Sequence, residues 1–200
     1  SAGRQVGLAA CLAAMMLQSV DYAARALPWM PDIPWFLALV LVVVIMCIFG
    51  AINGCVIAFL KVPPFIATLG MQTIVYGACQ IITNNQPMGG FKSSYSNVAL
   101  GSFMKVPYLA FFAIIVGIYF LFLYNKTRHG KYMYAIGGNE SAAQVAGVNV
   151  TATLIRIYLL AGMMYGLAGF LVGAKAGGAS TATGNGYELE AIAACTIGGV

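Results

Sequence analysis

Residues Phe36–Leu60 form a run of twenty-five residues with no charged side chain and no proline. As a helix this run would extend about 37 Å, enough to cross a hydrocarbon core of about 30 Å. A single segment can satisfy all its backbone N–H and C=O groups in lipid only as a helix. The run therefore predicts a spanning helix, and Gly50 and Gly54 form a GxxxG step on it that permits a close helix neighbour.

Composition generalises that reading. The chain is 61% hydrophobic and only 8% charged, with mean hydropathy +0.88. Soluble domains carry about 25% charged residues, so this chain cannot cover a water-facing surface. The expected fold is all-α, a polytopic transmembrane helix bundle, with residues 1–200 as one transmembrane domain set in a lipid bilayer. Further spans are expected at Phe65–Ile82, Tyr108–Tyr124 and Leu154–Ala174, with a shorter apolar stretch at Val6–Val20. Gly3 and Gly7 give that stretch its own GxxxG step, and Gly162/Gly166 with Gly169/Gly173 give Leu154–Ala174 a small face for tight packing. The opening SAGRQVGL shows neither an initiator Met nor a signal n-region, and Ala191–Val200 stops before crossing, so an internal fragment of a longer permease-like protein is expected.

Asn125–Thr153 is the one long polar stretch between two apolar runs. Lys126, Arg128 and Lys131 crowd its start, and clustered bases beside a span mark the cytoplasmic side. Lys61 and Arg156 are expected on that side too, with Arg25, Lys92, Lys105 and Lys175 outside and Arg4 unplaced. Within the stretch, Gly137-Gly138 breaks the chain and Asn139 can cap a new helix, although Ser141 and Gln144 also fit a capping box. About two turns follow through Ala142, Ala143, Val145 and Ala146 to Gly147, a natural C-cap. Such a short, small-residue helix either docks into another protein's groove or packs on its own spans.

Elsewhere, Lys61-Val62-Pro63-Pro64 ends one helix and starts the next. Asp21–Pro34, followed by Trp35, reads as a loop with interfacial aromatics, and Asn84–Pro107 as an outer loop folded over the mouth of a pathway. On Phe65–Ile82, Thr68, Gln72, Tyr76 and Gln80 recur every four residues and share one helix face. That polar stripe either lines a wet path or bonds neighbouring helices. Arg4 is a costly charge in an apolar stretch, either functional or placed at a broken-helix junction near water. Glu188 and Glu190 suit a helix N-terminus, and two residues apart they do not share a helix face as an acid/base pair would.

Several functions lose support. The bases form no stripe with interleaved aromatics, so no nucleic-acid partner is expected. One His and five scattered Cys give no metal site, and the cysteines read as apolar packing residues. No His, Asp, Glu or Cys cluster faces across the spans, so no catalytic residue and no enzyme activity are expected. An ion-coupled carrier or channel would place a charge or a broken helix at the midplane, for which Arg4 is the one hint.

Three stretches, Val62–Met71 (VPPFIATLGM), Tyr134–Val150 (YAIGGNESAAQVAGVNV) and Tyr187–Val200 (YELEAIAACTIGGV), together resemble the membrane subunits of bacterial ABC sugar importers of the ribose/xylose/galactose class. SAGRQVGLAA and the Asn125–Lys131 run are most similar to galactose/methyl-galactoside permeases. The resemblance implies a type II importer permease in the inner (plasma) membrane, working as a dimer with a second copy of itself. It also implies an ATP-binding cassette ATPase subunit and a periplasmic or lipid-anchored sugar-binding protein as partners. Gly137, Gly138, Asn139, Glu140, Ala142, Ala143 and Gly147 would then belong to the segment that couples to the ATPase. The chain has no phosphate-binding G-x-x-x-x-G-K-[ST] loop, so nucleotide would bind the partner, and no cofactor is expected here.

Overall fold

The computed structural model describes residues 2–19, 26, 31–103 and 105–199. The described helices are α1 (Ala2–Leu17), α2 (Trp35–Leu60), α3 (Pro64–Thr83), α4 (Ser93–Leu100), α5 (Tyr108–Lys126), α6 (Arg128–Gly138), α7 (Glu140–Val145), α8 (Val150–Ala176) and α9 (Tyr187–Ile197). Four of them, α2, α3, α5 and α8, are long and apolar enough to cross a membrane. A two-residue antiparallel pair, β1 (Ser102–Phe103) and β2 (Val106–Pro107), sets Ser102 against Pro107 and Phe103 against Val106.

The core lies where α1 packs against α2, α3 and α8. Leu8, Ala9, Ala10, Cys11, Ala13, Ala14 and Leu17 of α1 are at most 1% exposed. Small side chains let the backbones close up, because helix association in lipid depends on packing rather than on escape from water. Built onto Gly162, a Cβ would strike the Met46 carbonyl of α2 and sit 3.2 Å from the Gly50 Cα. At Gly54 it would lie 3.0 Å from the Ile155 Cα, and at Gly166 2.9 Å from the Val43 Cα. Gly169 makes the same close approach to α1 at Val6 and Ala9, whereas a Cβ on Gly173 would meet the Tyr95 hydroxyl at 2.7 Å and Ala10 only at 3.5 Å. The expected small face of the last long span is therefore a seam used twice, once for α2 and once for α1.

The two ends of the bundle differ in chemistry. At one end, the α2–α3 turn (Lys61, Pro63, Pro64) and the start of α8 (Val150, Thr151) share a cavity of about 310 Å³ with Glu140 and Gln144 of α7. The turn forms as the sequence predicts, with Lys61 left-handed at φ 50° and Pro64 as the first residue of α3. Lys61, Lys126, Arg128, Lys131 and Arg156 thus gather at this basic end. At the opposite end, Ser19 N–H donates to Gly90 O, Lys92 N–H donates to Leu17 O, and Met88 and Ala179 form a backbone bridge. Lys92 pairs with Asp32 there.

Three sequence expectations are corrected. The stretch read as a short Val6–Val20 run lies in the most buried of the described helices, which already includes Arg4. The segment read as a loop over Asn84–Pro107 contains α4, fixed by Tyr95, whose ring is fully buried and whose hydroxyl donates to Phe170 O at 2.7 Å. The polar stretch after α5 is helical from Arg128 to Gly138, because Thr127 caps it by accepting from Gly130 N–H, and Gly130 lets it fold back onto Tyr124. Of the loop Asp21–Pro34, most residues, Arg25 and Trp29 among them, lie outside the described residues; Trp35 begins α2.

Candidate functional site

At the basic end, α7 stands off the spans as a short, doubly capped helix. Asn139, not Ser141, is its cap: Asn139 Oδ1 accepts from Ala142 N–H at 3.0 Å. Gly137 and Gly138 do not lie in a break; they close α6, and the chain turns at Asn139 (φ −159°, ψ 108°). At its far end Gly147 N–H donates to Gln144 O and Val148 N–H to Ala143 O, each at 3.0 Å, with Gly147 at φ +84°. This is a Schellman ending, and it requires a residue free of the left-handed Cβ penalty.

The two caps decide which residues face outward. Ala143 is buried against its own chain at 4% exposed, whereas Val145 is 90% exposed. Gly137, Gly138, Asn139, Glu140, Ala142 and Gly147 are also exposed. All of α7 but Ala143 is exposed: Ala142, Val145 and Ala146 share one small, apolar side, Glu140, Ser141 and Gln144 are exposed polar residues, and Tyr134 of α6 is 67% exposed. Beneath it, both ring nitrogens of His129 are shut from solvent without a hydrogen-bond partner. That burial, reinforced by the nearby Arg156 charge, lowers the His129 pKa below its usual value.

The second candidate lies along α3. Met71, Val75 and Cys79 carry its buried face, and Thr68, Gln72, Tyr76 and Gln80 run beside them, each half-buried. Thr68 spends its hydroxyl on its own helix, donating to Phe65 O at 3.1 Å. Tyr76 meets Arg4, whose guanidinium carbon lies 4.3 Å from the ring centroid. The same guanidinium donates through Nη1 to Thr181 O at 2.9 Å.

Thr181 belongs to a non-helical link between α8 and α9, and this link was missed as a site because its Gly/Ala/Ser/Thr composition reads as an ordinary connector. Instead of staying at the membrane surface it runs down along α1. Ala179 bridges Met88, Cys11 donates its thiol hydrogen to Ser180 O at 3.4 Å, and Cys79 in turn donates to the Cys11 sulfur. Further down, Gly7 and Gly3 press against Thr183 and Gly184, and the carboxylate of Glu188 reaches Gly3. Gly184 at φ +78° and Gly186 at φ +87° provide turns that other residues adopt at a cost, and α9 starts from there. Non-helical backbone at membrane depth is tolerated only where protein buries it or water reaches it. The Gly3/Gly7 step predicted from sequence is therefore the seat of this link. Gln5, 1% exposed with Oε1 unpartnered, is a further buried polar group in α1 that periodicity did not single out.

The chain is similar to known permease proteins throughout. It is 47% identical over 208 residues to the galactose/methyl galactoside import permease protein of Escherichia coli K12, covering 100% of this chain and 62% of that protein. The corresponding protein of Haemophilus influenzae is 44% identical over 207 residues, again with 100% and 62% covered. The ribose import permease protein of Escherichia coli K12 is 38% identical over 157 residues, 75% of this chain and 48% of that protein. The chain thus spans less than two thirds of the length of these relatives. No solved structure matches it significantly. Four membrane-length helices, a core closed by glycine seams and a full-length family match agree: over residues 1–200 the chain belongs to the family described as branched-chain amino acid transport system / permease component.

Proposed function

We propose that the chain is the membrane-embedded part of a permease subunit that imports a monosaccharide, galactose or methyl galactoside, across the inner membrane, powered by an ATPase on a separate subunit. The observation that carries this is α7: a short, doubly capped helix outside the spans, one exposed side of which is Ala142, Val145 and Ala146. Small apolar residues on a short helix fit a groove, and its shared cavity with the α2–α3 turn gives a push on α7 a direct route to α3. ATP-driven closure of the partner would shift α7, and coupling follows only if α7 sits differently in the outward-open and inward-open states. The remaining partners are a sugar-binding protein that delivers substrate on the opposite face and a second copy of the permease.

The test uses the full-length permease with its ATPase and binding protein in proteoliposomes. Ala142→Trp or Val145→Asp should leave the protein inserted and folded while uptake and sugar-stimulated ATP hydrolysis both fall more than tenfold. Wild-type levels of both would refute the docking role. One observation, Arg4 beside a helix break, favours an ion-coupled carrier as the second reading. Uptake that survives vanadate and collapses with an ionophore would select it.

A further inference from the structure

We infer that Arg4 contacts the transported substrate, as the hydrogen-bond donor of a membrane-depth subsite whose other wall is the Tyr76 ring. The inference rests on the sugar-import reading above and names a residue for it.

Position comes first. The Leu17 end of α1 is tied to the Gly90–Lys92 segment at one face of the bundle. Arg4 lies about 20 Å back along the helix from that end, and Tyr76 about 18 Å from the Pro64 end of α3, by helix rise. The two meet well inside the span. A charge at such depth is unfavourable by several kcal/mol unless a partner or water compensates it.

In the described structure Arg4 is compensated by the Tyr76 ring and one carbonyl, but by no ion pair among the described residues. Its one described hydrogen bond goes to a neutral carbonyl, Thr181 O, and among the described residues it forms no ion pair. A guanidinium offers five N–H donors in a fixed plane, so holding that carbonyl leaves most of them to other acceptors. A neutral Gln would serve the carbonyl alone at far lower desolvation cost.

The surroundings match a polyol. The Tyr76 ring, one face of which carries the Arg4 guanidinium, adds a flat apolar surface and a hydroxyl tip beside that donor. Gln72 and Gln80 stand one turn to either side on the same helix face, each able to donate and accept. Beside Gly3 of α1, Glu188 Oε2 is shut from solvent without a hydrogen-bond partner. Thr181 is half-buried and Ala182 exposed, so the link is open on one side. Its backbone is held in place by the Gly3 and Gly7 contacts, which fixes the carbonyl that orients Arg4.

The experiment measures uptake by the full-length complex in proteoliposomes, with galactose and its monodeoxy analogues as competitors and one unchanged binding protein throughout. Arg4→Met should lower galactose uptake per folded molecule at least tenfold and reduce the discrimination against one deoxy analogue. Arg4→Lys should restore part of the uptake. Tyr76→Leu, which leaves the charge in place, should weaken uptake of all analogues alike. Wild-type uptake by Arg4→Met would overturn the inference. So would loss of uptake in step with loss of folded protein while Tyr76→Leu transports normally and analogue preference is unchanged. A wild-type complex that takes up no sugar would overturn the import reading and this inference with it, whereas a transporting wild type with an indifferent Arg4 overturns this inference alone.

Discussion

Gly162→Ala should destabilise the bundle by about 1–3 kcal/mol, the usual range for overpacking a filled interior. The added methyl overlaps the Met46 carbonyl, which is α2 backbone and cannot swing aside, and lies 3.2 Å from the Gly50 Cα. Relief requires α2 and α8 to separate by about 1 Å, and a gap of that size forfeits a quarter to a half of each dispersion contact. With contacts worth about 0.1–0.2 kcal/mol each and on the order of twenty of them along the seam, the loss comes to about 0.5–2 kcal/mol. Thermal unfolding of the full-length protein in detergent would measure it. Gly77→Ala is the control, since nothing lies within 4 Å of a Cβ at Gly77 and alanine favours helix by up to about 1 kcal/mol. If Gly162→Ala melts no lower than Gly77→Ala, close approach does not hold this seam together.

A cysteine at Ser141 should react with an impermeant maleimide only from the cytoplasmic face, and one at Ser94 only from outside; the reverse pattern would invert the membrane orientation. Gln72→Leu should preserve expression and basal ATP hydrolysis and lower uptake. If the stripe only bonds helices, the change should instead cost about 0.6 kcal/mol of stability and leave uptake per folded molecule unchanged. Because burial lowers the His129 pKa, the unfolded chain takes up this proton first as pH falls through about 6.5. The stability linked to His129 is therefore present above that pH and is lost as pH drops through the depressed folded value. Melting temperature followed between pH 7.5 and 5 should fall accordingly, with a flatter profile in His129→Asn; identical profiles would remove His129 as the cause.

The sequence by itself determined where the four long spans lie and where several of the helix ends fall. Both follow from local chemistry: an uncharged run such as Phe36–Leu60 has one stable form in lipid, and Pro63-Pro64, Asn139 and Gly147 act on their own backbone. Glycine spacing on Val150–Ala176 also told of close neighbours, though not which ones. The α6 helix was hidden because its short inward face, His129, Met133 and Ile136, is set among charged residues and glycines, so the stretch as a whole is barely apolar. Tertiary structure alone decided three matters that depend on residues far apart in the chain. It turned Ala143 inward and left Val145 outward on α7. It made the least conspicuous apolar stretch, α1, the centre of the core. And it carried the Ser180–Gly184 link down to Arg4, a contact between residues 177 positions apart that no local pattern encodes.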